Sequence, residues 1–141
     1  MDIAAIWTPD RSLPLSCPLF VAPVSAGSPS TAEDWVEGRL DLNRYLIRHP
    51  DSTFYLRVSG DSMELAGIRA DDILIVDRAC EADDGDIVIA RINDELTIKR
   101  LRIVGGEVWL VPESDHYEAM RITEAMDFEV WGKVMHVIHS L

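Results

Sequence analysis

The chain has 141 residues, enough for one domain with an appended tail and a buried core. Nearly half of them are apolar, which excludes global disorder. With 13 basic against 25 acidic side chains the formal net charge is −12; a surface this acidic repels phosphate backbones, so no direct DNA or RNA binding is expected.

Residues 1 to about 30 read as an arm. Pro14, Pro18, Pro23 and Pro29 interrupt short apolar patches at Leu13, Leu15, Leu19, Phe20 and Val21, with no helical or strand period. The stretch from Ser12 to Ala32 carries no charge, but its prolines and serines do not make an apolar helix about 20 residues long. The start, from Met1 to Asp10, lacks the basic region of a signal peptide, and no apolar run follows. A cytoplasmic protein without a membrane anchor is expected. Cys17 and Cys80 are too few for a disulfide framework and stand in no zinc-type spacing, so both are expected as reduced thiols. His49, His116, His136 and His139 form no metal-binding motif; no metal and no cofactor is expected.

One or two short helices are predicted next. Thr31 to Asp34 resembles a capping box, and Trp35, Val36, Leu40, Tyr45 and Leu46 follow at roughly helical spacing. Asp41 is placed to cap a second short helix, and His49, which precedes Pro50, ends the helical span.

From Phe54 onward the pattern is that of strands. Candidates are Phe54–Val58, Asp72–Asp77, Asp86–Ile92, Glu95–Val104, Glu107–Val111 and Phe128–Ile138. Asn93-Asp94 and Gly105-Gly106 are the turns between consecutive pairs. The expected architecture is a mainly β, antiparallel domain over residues 31–141, preceded by the arm of residues 1–30.

Two residues in this domain have chemical interest. Ser62 follows a strand and a glycine turn, Val58-Ser59-Gly60-Asp61-Ser62-Met63. Such a turn can hold a hydroxyl rigidly at a cleft mouth, and the backbone N–H groups of Asp61 and Ser62 could face a developing oxyanion. The competing reading is a simple turn cap. Lys99 lies on one face of its strand with Thr97, Leu101 and Ile103, a mostly apolar set, whereas Arg100 and Arg102 lie on the other. A lysine so placed either snorkels to water or is held desolvated. A free lysine titrates near ~10.4, and burial can lower that by about three pH units, at a cost of roughly 4 kcal/mol. The neutral amine could then take a serine proton. No histidine stands in a comparable context for a Ser–His–Asp arrangement.

Taken together, Ser59-Gly60-Asp61-Ser62-Met63, the segment from Gly67 to Asp77, Gly85-Asp86-Ile87-Val88-Ile89-Ala90 and Thr97-Ile98-Lys99-Arg100-Leu101 resemble the LexA/UmuD self-cleaving family. The separation of Ser62 and Lys99, 37 positions (99 minus 62), resembles it too. The stretch from Asp41 to Pro50 and the ending from Val130 to Ile138 are similar to its UmuD-type branch. The resemblance implies a LexA/signal-peptidase-like β fold, with Ser62 as nucleophile and Lys99 as general base. It further implies one scissile bond between a small residue and glycine in the arm, for which Ala26-Gly27 within Val24-Ser25-Ala26-Gly27 fits. Small residues let an arm enter a tight cleft; the competing reading of an Ala-Gly pair is a flexible loop. Within the resemblance, UmuD itself has Cys-Gly at this bond, and Ala-Gly is the form usual in the repressors.

Only 26 residues precede Gly27, with the single basic residue Arg11 among them, so no upstream sequence-specific DNA-binding domain is expected. The UmuD likeness implies a homodimer, self-cleavage stimulated by a RecA–single-stranded DNA filament, and a trimmed form that joins a UmuC-like Y-family polymerase in translesion synthesis. Two other hypotheses compete. One is a non-catalytic dimeric binding module that regulates a DNA polymerase. The other is a leader-peptidase-like enzyme, which would need a membrane anchor.

Overall fold

The computed structural model describes residues 1–20 and 36–141. The elements in chain order are β1 (Asp2–Trp7), β2 (Ser16–Phe20), β3 (Val36–Asp41), α1 (Leu42–Leu46), β4 (Thr53–Ser59), β5 (Ile73–Asp77), β6 (Ile87–Ile92), β7 (Glu95–Val104), β8 (Glu107–Val111), β9 (Met120–Arg121) and β10 (Phe128–Ile138). The protein is mainly β, as expected. Its large sheet runs β1-β4-β5-β10-β6-β7-β8-β9, and every described pairing is antiparallel.

One further pairing, Asp2 with Thr97, joins β1 to β7. It turns β1-β4-β5-β10-β6-β7 into a closed ring, so six strands form a small barrel with β8 and β9 as an extension. Closure removes the free edges of β4 and β7 near the site, and the strand that removes them is the first of the chain.

The sequence explains why the strands are buried on both faces. In β6, Ile89 packs into the main core with Leu56, Val58, Met63, Ile68, Leu74, Val76 and Ile98. Its neighbours Val88 and Ala90 point the other way, into a second cluster with Leu101 and Leu110. That is why β6 reads as a continuous apolar run instead of an alternating one. The two hairpin turns follow from their residues. Asn93 and Asp94 have φ of 48° and 71°, and Gly105 and Gly106 have φ of 57° and 81°. Positive φ at both central positions is the primed turn that suits the twist of a hairpin.

β10 is long because it serves two partners. Phe128–Lys133 pairs with β6, and Lys133–Ile138 pairs with β5. At the crossover Gly132 lies so close to β5 that an added Cβ would stand 2.5 Å from Val76 Cγ1. Beside it, Trp131 packs on Phe54 with ring centroids 5.4 Å apart, and the Arg78 guanidinium lies 4.4 Å over the Trp131 ring.

The first third of the chain departs from expectation. Residues 2–7 and 16–20 are strands, although the sequence shows no period there. β1 is specified by the two edges that flank it, a tertiary cause that a local pattern does not carry. Val36–Asp41 is a strand paired with β2, not the continuation of a helix. The helix is confined to Leu42–Leu46; Asp41 caps it as expected, its carboxylate accepting from the Asn43 N–H at 3.0 Å. The capping-box segment Thr31 to Asp34 lies outside the described residues.

Candidate active site

The turn after β4 places Ser62. Gly60 takes φ of 85°, which only glycine adopts readily, and lets the chain double back after Ser59. Met63 then anchors the turn: its side chain is fully buried in the core, and its carbonyl accepts from the N–H groups of Ala66 and Ile68. A second clamp comes from the bend that follows β8. Glu113 donates its N–H to the Ser62 carbonyl at 2.7 Å, and its own carbonyl accepts from Leu65 at 2.9 Å. The Arg100 guanidinium holds the Glu113 carboxylate. Asp61, on the other side, accepts a hydrogen bond from the Tyr117 hydroxyl at 2.8 Å. Ser62 is thus fixed by main-chain contacts from two directions.

Lys99 comes from β7, opposite β6 in the barrel wall. Its Nζ lies 3.2 Å from Ser62 Oγ, 3.1 Å from Thr97 Oγ1 and 3.0 Å from the Ile98 carbonyl. The two residues that stand 37 positions apart in the chain are therefore in hydrogen-bonding contact. Burial pushes the Lys99 ammonium below its ordinary range; a hydrogen bond with the Met1 amine and the charge of Asp2 oppose that. The three neighbours of Nζ define what the amine can do. When neutral it has two N–H donors, which Thr97 Oγ1 and the Ile98 carbonyl can accept. One lone pair is then left for the remaining direction, toward Ser62.

Two groups in the site were not identified from sequence. Thr97 was seen as a face neighbour of Lys99, but its role as an acceptor depends on side-chain geometry. The other is Met1. Its α-amine donates to Ser62 Oγ at 2.6 Å, and its side chain is buried against the core. Burial, then the neighbouring charge of Lys99, lowers the pKa of this amine to about 6. Thr97 Oγ1 and the Ile98 N–H both donate to the Met1 carbonyl, at 3.1 Å and 3.4 Å. Ser62 itself has no exposed surface.

Beside Lys99 a cavity of about 460 Å³ opens between Asp2, Leu96, Thr97, Leu110, Glu118 and Met120. A cavity of similar size, about 440 Å³, lies against α1 between Arg11, Leu13, Asn43 and Arg44; neither Ser62 nor Lys99 lines it. The Ala26-Gly27 segment falls outside the described residues, so its path relative to Ser62 is not part of the geometry. Asp61 stands in the bend immediately before Ser62.

Away from Ser62, the structure brings together two residues in which sequence spacing showed no pattern. His49 Nδ1 is 2.6 Å from Asp77 Oδ2, and the Cys80 thiol donates to the same oxygen at 3.3 Å. These groups satisfy one another as hydrogen-bond partners around a buried carboxylate. His139 holds Asp72 in the same way, at 2.6 Å. Among the described residues, no helix is long and apolar enough to cross a membrane.

Residues 18–135 match the family model described as Peptidase S24-like. The chain is 47% identical over 122 residues to Protein ImpA of Salmonella typhimurium, a match covering 86% of this chain and 83% of that protein. It is 39% identical over 122 residues to Protein MucA of Escherichia coli, with the same shares covered. It is also 38% identical over 122 residues to the LexA repressor of Paracidovorax citrulli (strain AAC00-1), of which it covers 54%.

Proposed function

This chain belongs to the Peptidase S24-like family, in the branch of UmuD-type SOS mutagenesis proteins, and we infer that it is a serine peptidase that cuts its own N-terminal arm once, at Ala26-Gly27. The observation that carries this reading is the 3.2 Å contact between Lys99 Nζ and Ser62 Oγ, together with the two acceptors that occupy the other directions around Nζ.

In this reading the neutral Lys99 amine takes the Ser62 hydroxyl proton as Oγ attacks the Ala26 carbonyl carbon. The oxygen of the tetrahedral intermediate is stabilised by the backbone N–H groups of Asp61 and Ser62. As the intermediate collapses, the Lys99 ammonium returns the proton to the Gly27 nitrogen, which leaves as a free amine. Ser62 then carries Ala26 as an ester. Lys99, neutral again, takes a proton from water as its oxygen attacks the ester; when this second intermediate collapses, the Lys99 ammonium gives that proton to the leaving Ser62 Oγ, and Ala26 is released with a free C-terminal carboxyl group. The arm, residues 1–30, supplies the bond, and the domain of residues 31–141 supplies the chemistry. Residues 2–7 belong structurally to the main sheet.

Family membership supports a wider role. We read the protein as a cytoplasmic homodimer whose cleavage a RecA–single-stranded DNA filament stimulates, and whose product, residues 27–141, serves a UmuC-like Y-family polymerase. Exposed Leu13, Leu15, Leu42 and Tyr45 support a dimer, since such side chains offer apolar surface to a partner. The net charge of −12 supports action through protein partners and not through direct DNA contact.

The test is N-terminal sequencing and intact mass of the product after incubation at alkaline pH or with activated RecA filament. A fragment beginning at Gly27 is expected, and Ser62→Ala and Lys99→Ala should both yield none. Cleavage that persists in either variant overturns the assignment; a chain that is never cut but still joins a polymerase is the non-catalytic binding module.

A further inference from the structure

A nucleophile with no exposed surface cannot meet a peptide bond from outside, and part of what covers Ser62 is the start of the chain itself. β1 runs between β4 and β7, antiparallel to both. Its pairing with β4 extends from Asp2 opposite Ser59 to Trp7 opposite Tyr55, with one bulge between Ile3 and Ala5. At the inner end the first residue is recognised group by group. The α-amine meets Ser62 Oγ, the carbonyl takes hydrogen bonds from Thr97 Oγ1 and the Ile98 N–H, and the methionine side chain enters the core among residues that include Leu56, Val58 and Ile98. Gly60 makes room: a Cβ there would stand 3.3 Å from Met1 Cα. At the outer end the Arg57 guanidinium covers the Trp7 ring at 5.6 Å.

We propose that the cleft between β4 and β7 is a binding groove for an extended peptide with a flexible apolar side chain at its inner end, and that residues 1–7 of this same chain fill it in competition with the arm segment that is to be cut. The groove's ligand chemistry is strand addition: main-chain hydrogen bonds give affinity, and the pocket for the first side chain gives selectivity. A second strand cannot pair with the same edges while β1 is there. The arm reaches Ser62 only when β1 has left. The competition rests on the peptidase reading above; the binding groove does not.

The experiment uses the full chain and a variant, Ala5→Pro/Ile6→Pro. Two consecutive prolines remove whichever N–H faces β4, since successive residues of a strand donate in opposite directions. In the unaltered chain, amide exchange over residues 2–7 is expected to be about tenfold or more slower than in an unstructured peptide, independent of protein concentration. Exchange at the unstructured rate overturns the proposal whether or not the variant folds. Protection that grows with concentration places a second copy in the groove and overturns its intramolecular form. A synthetic peptide of residues 1–7, dye-labelled at its C-terminus, is expected to bind the variant saturably in fluorescence anisotropy and not the unaltered chain. Equal binding to both, or to neither, overturns the groove. Self-cleavage of the variant is expected to run about tenfold faster, the value for releasing one or two net hydrogen bonds. Peptide binding without cleavage in either chain would sink the peptidase reading and its competition while leaving the groove intact. An unchanged cleavage rate in a variant that binds peptide overturns the competition alone.

Discussion

Replacing Thr97 by valine tests the Lys99 environment with almost no change in shape. The threonine hydroxyl accepts from Lys99 Nζ at 3.1 Å, and it stabilises the ammonium more than the neutral amine because a charged donor makes the stronger hydrogen bond. Such a bond contributes about 1.5–3 kcal/mol when fully buried. Lys99 is only part-buried, so the lower end applies; about 1.4 kcal/mol corresponds to one pH unit. The same hydroxyl holds the Met1 carbonyl, and the Met1 amine contributes a hydrogen bond that raises the Lys99 pKa, so loosening Met1 acts in the same direction. The sign is therefore unambiguous. In the unaltered chain the rate of self-cleavage should rise with pH to a plateau whose midpoint lies below 10.5, because burial lowers Lys99 from that value. In Thr97→Val the midpoint should fall by about one further pH unit. The plateau changes separately: lost orientation of the amine lowers it, and a freer groove raises it. The assay is the first-order loss of full-length chain on gels between neutral pH and about pH 11, at constant ionic strength so that screening stays fixed. A midpoint that stays put or moves up would refute the role given to Thr97 and the desolvated state of Lys99 with it.

Two further outcomes concern the frame around the site. Gly132→Ala should cost about 1–3 kcal/mol in thermal or urea unfolding, because the added Cβ would stand 2.5 Å from Val76 Cγ1 and the strands must separate to admit it; unchanged stability would mean β5 and β10 are not so tightly apposed. Asp77 offers a pH test. Burial pushes its carboxyl up, but His49, the Ala79 N–H and the Cys80 thiol together pull it down, for a net lowering below 3.8. A depressed carboxyl adds stability above its unfolded value, and that stability is lost as pH falls through the folded value. Unfolding free energy should thus decline below about pH 4, and the decline should be shallower in Asp77→Asn. Parallel curves would refute the pairing.

The strands from β4 to β8 and β10 were legible in the sequence because their determinants are local. Apolar runs of strand length are bounded by Asn93-Asp94 and Gly105-Gly106, whose turn chemistry acts over two residues. The cap at Asp41 was legible for the same reason: an aspartate needs only a nearby N–H. β3 was misread because Leu40, Tyr45 and Leu46 sit at a spacing that fits a helix, while its pairing with β2 is invisible locally. β9, two residues long, carries no period at all.

Composition and periodicity act without a partner, so an acidic β protein with a turn serine and a strand lysine in family-like motifs is readable from the residues alone. The remainder depends on contacts between distant segments. Whether Lys99 snorkels or stays desolvated depends on what lies over it, and a 3.2 Å contact across 37 positions is made by the barrel, not by either strand. The fate of residues 1–7 was settled in the same way. Their backbone groups need partners, and the edges that supply them, β4 and β7, come together only when the sheet closes.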